Sequence, residues 1–533
     1  MKGGRSSQHT QPVAAQATPG IGAGLAAGTA AGPTGQLPSH LRLLVDPGVQ
    51  RLDGTGDRTV LLGGSPLRLM RLDARAMAVF DQLATGVVLG DVTGASKRAV
   101  AGLARRLLNG GMAQPDWSAS VPADPQTRRY TAADVTVVVP VKDRPEQLAR
   151  LLASALPPGP VIIVDDGSTT AIEPPSALSI TSSPGLSSPA SAVPAHPRVE
   201  VIRHDRPVGP GAARNAGLAK ATSPLVAFVD SDIVLPDDWL DALLPHFDDP
   251  AVALVAPRVA PLVPDGSALT RYESVRSSLD LGPDPARVAQ RTRVAYVPAA
   301  VLVVRRDAFD GFHEGMATGE DVDAVWRLVA RGWTARYEPK SEVRHDHRTR
   351  LVDFLRRRAA YGSSAAPLAL RHRHDVVPLA VSGWSAVAWG LVATQTPLGL
   401  AGAAAVVGTT TALLPAKLTT LAVPNPVAAR LARRGHLGAG RQIASAVMRT
   451  WLPIAIPIAI RSKRGRRALF AAAVVPALLE WRERRPPIDA LRWTLLRCAD
   501  DAAYCVGVWQ GAAEHRTLAP LVPDLTSWPR TRE

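Results

Sequence analysis

Two apolar runs in the middle of the chain each end in a pair of aspartates. Residues 160–168 read PVIIVDDGS, and residues 225–233 read LVAFVDSDI. Runs this short and this apolar are typical of buried strands, and a leucine-rich helical pattern separates the first of them from an earlier strand at 134–141. Because ligands bind at the carboxyl ends of parallel strands, the sequence predicts an α/β domain with an acidic site at that edge.

Length, cysteine content and charge narrow the class of protein. A chain of 533 residues is long enough for about three domains. Its two cysteines, Cys498 and Cys505, exclude a zinc or disulfide framework. A net charge of +15 predicts an anionic partner such as a nucleotide or a phospholipid surface; a compositional bias toward arginine is the alternative. No helix-turn-helix, zinc-finger or RNA-binding signature is present, so we do not expect nucleic acid binding.

Composition divides the chain into four parts. Residues 1–37 are rich in Ala, Gly and Pro and predict a disordered tail. Residues 38–120 predict a small winged-helix-like α+β domain, which resembles peptide-recognition domains; a simple packing appendage is the alternative. Residues 130–372 predict the α/β domain, with an inserted Pro/Ser-rich loop at 170–197. Residues 373–533 predict an apolar helical region.

The apolar C-terminal region predicts membrane association. Residues 376–394 and 397–415 carry no charge, and each is about long enough for a transmembrane helix. Arginine-rich segments flank them, which by the positive-inside rule predicts a location on the cytoplasmic face of the plasma membrane. Residues 443–460 are interrupted by Arg449 and predict an interfacial segment. A soluble Ala-rich helical bundle is the alternative.

The acidic and glycine-rich motifs suggest a nucleotide site. Asp165 and Asp166 could accept hydrogen bonds from a nucleobase and a ribose, although Asp-Gly is also a common turn. Residues 209–217 read GPGAARNAG, where Arg214 replaces the last glycine of a dinucleotide fingerprint. We therefore predict that this guanidinium contacts phosphate; a solvated arginine at a helix start is the alternative.

A second acidic pair predicts a cation. Asp230 and Asp232 follow a buried strand with a spacing of two, which points both carboxylates to the same side. Mg²⁺ and Mn²⁺ bind such carboxylates together with substrate phosphates. His345, in the segment RHDHR, could complete the site with a neutral imidazole. A surface cluster of charged residues is the alternative for this segment.

A third acidic pair begins a predicted helix. Glu320 and Asp321 follow Gly319, and the helix dipole is expected to keep them ionised. An ionised carboxylate can take a proton from a hydroxyl group, so this pair predicts a general base. Stabilisation of the helix alone is the alternative.

In this order, the segments VVVPVKDR, VDDGS, GAARNAG, VDSD and GED resemble the family 2 nucleotide-sugar glycosyltransferases, which have the GT-A fold. The resemblance covers residues 134–350. It implies a metal-dependent transfer from a nucleotide-sugar donor, with Mg²⁺ or Mn²⁺ as cofactor. The site residues that it implies are Asp321 and Glu320 for catalysis, Pro140, Asp165, Asp166, Arg214 and Asp230 for the donor, and Asp230, Asp232 and His345 for the metal.

A narrower resemblance extends over about residues 40–480. The segments LLGGSP, GEDVDAVWRL and HDHRTRLVDFLRRRAAYGSSAAPLA are similar to the glycosyltransferases of mycofactocin biosynthesis. This implies inverting transfer of glucose from UDP-glucose onto a hydroxyl of a peptide-derived redox cofactor. One alternative is transfer to a lipid phosphate or a cell-envelope polysaccharide. Another is a non-catalytic, peptide-binding membrane adaptor.

Overall fold

The computed structural model describes residues 35–53, 59–117, 129–173, 199–263, 266–347, 349–373, 375–418 and 425–527. The predicted tail lies outside the described residues as far as residue 34, and so does the predicted inserted loop from residue 174 onward.

Within the described residues, the N-terminal unit consists of two small sheets and two α-helices. Its elements are β1 (Arg42–Val45), β2 (Gln50–Asp53), β3 (Thr59–Gly63), β4 (Arg68–Leu72), α1 (Ala74–Ala84), α2 (Lys97–Asn109) and β5 (Ala113–Asp116). Strands β2, β3 and β4 form an antiparallel sheet, while β1 pairs with β5. The apolar faces of α1 and α2 close its core, and Asp73 and Ser96 cap the starts of the two helices. The winged-helix comparison for this unit stays a prediction.

The central unit alternates strands and helices up to residue 345. Its elements are β6 (Val135–Val141), α3 (Pro145–Leu152), β7 (Val161–Asp166), β8 (Val199–His204), α4 (Pro210–Lys220), β9 (Leu225–Val229), β10 (Ile233–Val234), β11 (Val252–Pro261), α5 (Ala268–Arg276), β12 (Ala286–Val288), β13 (Val301–Arg305), α6 (Glu320–Ala330) and β14 (Thr334–His345).

The described strands of this unit form a nine-stranded mixed sheet. Its order is β10-β14-β11-β13-β9-β6-β7-β8, and β12 pairs with β14. Strands β6 to β9 pair in parallel, whereas β13 runs antiparallel to both of its neighbours, so the predicted parallel sheet is correct for one half only. Helices α4 and α6 pack on one face of the sheet and α3 on the other, which leaves the carboxyl ends of the parallel strands accessible.

The C-terminal region is mainly helical. Its elements are α7 (Leu351–Ser363), α8 (Ala365–Arg371), β15 (Ala380–Ser382), α9 (Gly383–Ala393), α10 (Pro397–Leu418), α11 (Asn425–Arg449), α12 (Leu452–Arg461), α13 (Lys463–Arg484), α14 (Ala490–Glu514) and β16 (Asp524–Thr526). The short strands β15 and β16 pair in parallel and join the two ends of this region.

The structure corrects one of the two predicted membrane spans. Residues 376–394 contain strand β15 and the 11-residue helix α9, which is about 16 Å long and too short to cross a bilayer. Within the described residues, one helix is long and apolar enough by itself: Pro397–Leu414 of α10, of which 11% is buried. The third apolar segment is divided between α11 and α12, whose axes differ by 92°.

Helix α14 packs against α7 in direct backbone contact. A Cβ atom on Gly507 would lie 1.8 Å from the carbonyl oxygen of Ala359, and one on Gly511 would lie 2.3 Å from that of Ser363. Such distances leave room for glycine only. The C-terminal helices also pack onto the central unit, since Tyr272 of α5 donates a 2.9 Å hydrogen bond to Asp500 of α14.

Two further contacts tie α10 to its surroundings. Gln395, in the turn before α10, donates a hydrogen bond to the carbonyl oxygen of Arg464 over 2.8 Å. At the other end of the helix, Leu414 packs against an apolar cluster that contains Leu52 and Leu62 of the N-terminal sheet and Ala428 of α11. The N-terminal unit is itself held to the central unit, for example by a bidentate ion pair from Arg105 to Asp249.

Candidate active site

A cavity of about 1000 Å³ opens at the carboxyl ends of β6, β7 and β9. It continues past the start of α6 to a far wall made by α7, α11, α13 and α14. Nearly all the predicted site residues line it: Pro140, Asp166, Arg214, Asp230, Asp232, Glu320, Asp321 and His345. The sheet thus brings together side chains that lie up to about 200 positions apart in the chain.

The two aspartates at the end of β7 have different surroundings. Asp165 is fully buried and accepts hydrogen bonds from the Ser168 backbone amide, at 2.9 Å, and from Arg203. Asp166 reaches the cavity and accepts the amide of Gly209 at 2.9 Å. Burial alone would raise the pKa of each carboxyl group, but the hydrogen bonds lower both values. Asp165 therefore orders the loop that follows β7, whereas Asp166 presents its carboxylate to the cavity.

Arg214 joins two of the acidic motifs. Its side chain is buried, and it donates to Asp230 at 2.6 Å and to Glu320 at 2.9 Å. Despite the burial, these two carboxylates raise the pKa of the guanidinium. The predicted phosphate contact by Arg214 would therefore compete with the ion pairs that the residue makes in this structure.

The acids at the start of α6 are not the freely ionised groups that the helix dipole predicts. Burial raises the pKa of Asp321, and burial together with the neighbouring Asp321 raises the pKa of Glu320 to about 7. Burial outweighs the dipole at this helix end. Asp321 is oriented by the backbone amides of Val322, at 2.8 Å, and Ala299, at 3.2 Å.

Gly319 allows the sharp turn before α6. Its φ angle is +80°, and a Cβ atom there would lie 2.8 Å from the side chain of Ser364. Only glycine adopts this conformation in so small a space. The turn places Glu320 and Asp321 at the cavity instead of on the outer surface.

The strand pairing brings His345 next to the second acidic pair. Ile233 pairs with His345 across β10 and β14, and the imidazole Nε2 lies 3.4 Å from the Asp232 carboxylate. Arg144 also contacts this carboxylate. Burial alone would raise the pKa of Asp232, but His345 and Arg144 lower it. Burial lowers the pKa of His345, which favours the neutral ring.

Asp232 and His345 fit a divalent cation as two ligands. A carboxylate oxygen and a neutral imidazole nitrogen are suitable donors, and Mg²⁺ commonly completes its coordination with substrate phosphates. Asp230 is held by Arg214. Within the described residues there is no group of three or more His, Cys, Asp or Glu side chains that could hold a metal ion by itself.

The sequence reasoning missed several residues of this cavity. Arg144 follows β6 within the VKDR segment, and its position just beyond a strand end is a signal that could have identified it. Tyr296, Tyr361 and Tyr504 also line the cavity. These tyrosines come from three distant segments, and Tyr361 alone lies in a segment singled out above, so only the fold reveals that the three are neighbours.

Comparisons with known proteins define the class. The model for glycosyl transferase family 2 matches residues 136–309, and the one for glycosyl transferase family group 2 matches residues 225–432. The chain belongs to glycosyltransferase family 2 and has the GT-A fold. It is 39% identical over 500 residues to the Pre-mycofactocin glycosyltransferase of two strains of Mycobacterium tuberculosis, covering 92% of this chain and 99% of those proteins.

More distant similarities cover smaller shares of the chain. The succinoglycan biosynthesis protein ExoO of Rhizobium meliloti is 27% identical over 228 residues, which are 39% of this chain and 59% of that protein. Residues 1–349 of S. aureus TarS are 13% identical to this chain with a TM-score of 0.31, covering 70% of this chain and 91% of that structure.

Proposed function

We propose that this glycosyltransferase transfers glucose from UDP-glucose, with inversion, to a hydroxyl group of pre-mycofactocin, a peptide-derived redox cofactor precursor. The observation that carries the proposal is the meeting of Asp166, Asp230, Asp232 and Asp321 in one cavity. The identity to the mycobacterial relative over 92% of the chain supports the acceptor.

The donor would lie at the carboxyl ends of the parallel strands. The Asp166 carboxylate can accept hydrogen bonds from the nucleobase and the ribose, next to Pro140 in the cavity wall. Asp165 supports the loop that follows β7, because it accepts a hydrogen bond from the backbone amide of Ser168. The Arg214 guanidinium holds Asp230 and Glu320 in place and provides positive charge near the diphosphate.

Asp321 is the proposed general base, with Glu320 as its neighbour in the same charge network. It takes the proton from the acceptor hydroxyl as that oxygen attacks the anomeric carbon. The new carbon–oxygen bond forms on the face opposite the bond to UDP, which breaks and leaves UDP with its electron pair. One displacement of this kind inverts the anomeric centre. A raised pKa suits a carboxylate that must accept a proton near neutral pH.

Asp232 and His345 are the proposed ligands of Mg²⁺ or Mn²⁺, and Asp230 would join them as a third ligand only by giving up its ion pair with Arg214. The metal would neutralise the charge that develops on the departing diphosphate. Arg144 contacts the Asp232 carboxylate in this structure. A cation at the site would have to displace Arg144 or share the carboxylate with it.

We also propose attachment to the cytoplasmic face of the plasma membrane. Four isoleucines of α12 are 43–71% exposed: Ile454, Ile456, Ile458 and Ile460. The basic segment RSKRGRR follows at residues 461–467. Apolar side chains beside a basic cluster favour insertion into one leaflet with the arginines at anionic headgroups.

The test uses the full-length protein with UDP-glucose, Mg²⁺ or Mn²⁺, and pre-mycofactocin as acceptor. We expect UDP release that depends on the acceptor, a product one hexose heavier by mass spectrometry, and a β-linked sugar by NMR. Incorporation of glucose only into a lipid extract or a polysaccharide would favour the alternative acceptors. No UDP release under any condition would favour the non-catalytic adaptor.

A further inference from the structure

Three of the six tyrosines in the chain line the cavity that contains Asp321. Tyr296 precedes β13, Tyr361 lies on α7, and Tyr504 lies on α14. This part of the wall is separate from the strand ends at which the donor would bind. The fold builds it from two C-terminal helices and from the loop before β13.

The packing places these tyrosines close to one another. Gly362, the residue after Tyr361, lies so near the carbonyl oxygen of Tyr504 that a Cβ atom on it would be 2.1 Å away. Tyr296 is on the same loop as Ala299, whose amide donates to Asp321. Burial, followed by Asp321 and Tyr361, raises the pKa of Tyr296, so its hydroxyl stays protonated.

Three arginines that line the same wall are already paired with carboxylates. Arg449 is 2.9 Å from Asp501 and lies 3.9 Å from the ring centre of Tyr504. Arg276 and Arg358 both pair with Asp500, at 2.6 and 3.1 Å. Their charges are compensated within the protein. Apart from Arg357, an exposed residue whose guanidinium lies 5.4 Å from the ring centre of Tyr361, the wall therefore presents aromatic faces and phenolic hydroxyls.

We infer that Tyr296, Tyr361 and Tyr504 form the acceptor subsite, and that its ligand is an uncharged ring that carries hydroxyl groups. The inference rests on the proposed function, because it takes Asp321 as the base beside which the acceptor must lie. The aromatic faces bind the ring, and the phenols exchange hydrogen bonds with its hydroxyls. Tyr504 lies beyond both segments that match the family models, so α14 adds selectivity to a shared catalytic centre.

The experiment measures both binding and transfer in the full-length protein. Phenyl β-D-glucopyranoside offers sugar hydroxyls, and 4-hydroxyphenylacetamide offers a phenol; 4-hydroxyphenylacetate is the anionic isostere of the second probe. Saturation-transfer NMR in the presence of UDP reports binding without any sugar transfer. UDP-glucose turnover then gives the KM of each probe.

We expect at least one neutral probe to bind and the anion to bind at least tenfold more weakly. Tyr504→Ala and Tyr361→Ala should each raise the KM of that probe about tenfold. Tyr504→Phe keeps the aromatic ring and should raise the KM less than Tyr504→Ala does. Val506→Ala, an exposed position on the same helix, is the matched control.

Preference for the anion, or unchanged probe binding in both alanine variants, would overturn the inference. Absence of binding by both neutral probes, with UDP-glucose turnover intact, would overturn it as well. Normal probe binding without any UDP-glucose turnover would instead contradict the proposed function and leave the subsite supported.

Discussion

Arg214 and Glu320 are 106 positions apart in the chain, and a 2.9 Å hydrogen bond joins Nη1 of the arginine to Oε1 of the glutamate. The bond connects the start of α4 with the start of α6. It holds a buried carboxylate beside Asp321, where repulsion between the two acids would otherwise separate them. The charge state of this group of residues is therefore the first property to test.

Replacement of the proposed base tests the mechanism directly. Asp321→Asn keeps the shape of the side chain but removes its ability to accept a proton. We expect transfer to fall by a factor of roughly 10² to 10⁴, the usual contribution of a general base. Donor affinity, measured by titration with UDP, should stay within about twofold. Full activity in this variant would contradict the assignment.

The pH dependence of kcat/KM should report the protonation of the Glu320–Asp321 pair. The base works only when ionised, and its pKa is raised, so kcat/KM should fall as the pH drops through that raised value. Glu320 has a pKa of about 7, so it also takes up a proton as the pH falls below neutrality. Glu320→Gln removes a negative charge beside Asp321, which lowers the pKa of Asp321 and should move the acid limb to lower pH. An acid limb that stays in place would show that Asp321 does not control it.

Metal dependence tests the pairing of Asp232 with His345. Excess chelator should abolish transfer, and added Mn²⁺ or Mg²⁺ should restore it. Asp232→Ala should raise the metal concentration needed for half-maximal activity at least tenfold. Asp238→Ala, an exposed acid on the following loop, serves as the control. Full activity in chelator would exclude a metal-dependent reaction.

The glycine contact between α7 and α14 predicts a stability effect. Gly507→Ala places a Cβ atom 1.8 Å from the Ala359 carbonyl oxygen and should lower the free energy of unfolding by about 1–3 kcal/mol. Gly102→Ala lies in helix α2 with nothing within 4 Å of its added Cβ. It should be neutral or stabilising by up to about 1 kcal/mol. Thermal unfolding of the two variants makes the comparison.

The exposed isoleucines of α12 predict lipid binding. Ile456→Glu with Ile460→Glu should reduce sedimentation with phosphatidylglycerol vesicles at least tenfold, because charged side chains replace inserted apolar ones. Leu44→Glu, an exposed leucine of the N-terminal unit, should change nothing. Equal sedimentation of all three proteins would contradict a membrane role for α12.

The strands and acidic motifs of the site could be predicted because each is a local pattern. Asp165, Asp230 and Asp232 all follow apolar runs, and the fold gathers such strand ends at one edge. Hydrophobic periodicity could not distinguish a membrane helix at residues 376–394 from the strand and short helix that the structure has, because the segment is uncharged in either case. The antiparallel direction of β13 could not be predicted either, because its apolar residues are those expected of a parallel strand.

Partners across the sheet were beyond sequence reasoning for another reason. The contact of Arg214 with Glu320 joins residues 106 positions apart, and the raised pKa of Glu320 depends on burial, which no local pattern shows. A helix-dipole argument considers the local backbone only, and so it predicts the wrong direction for the Glu320 pKa.

The two contacts at the ends of α10 have a consequence for its orientation. The hydrogen bond from Gln395 keeps one end beside the basic segment at residues 461–467. The packing of Leu414 keeps the other end against the N-terminal unit, which is held to the central unit by the ion pair of Arg105 with Asp249. A helix that crossed the bilayer would place these two ends on opposite sides, with the arginines on the side away from catalysis. Lying flat in one leaflet keeps both ends on the same side, so α10 would support the enzyme on the surface of the membrane without passing through it.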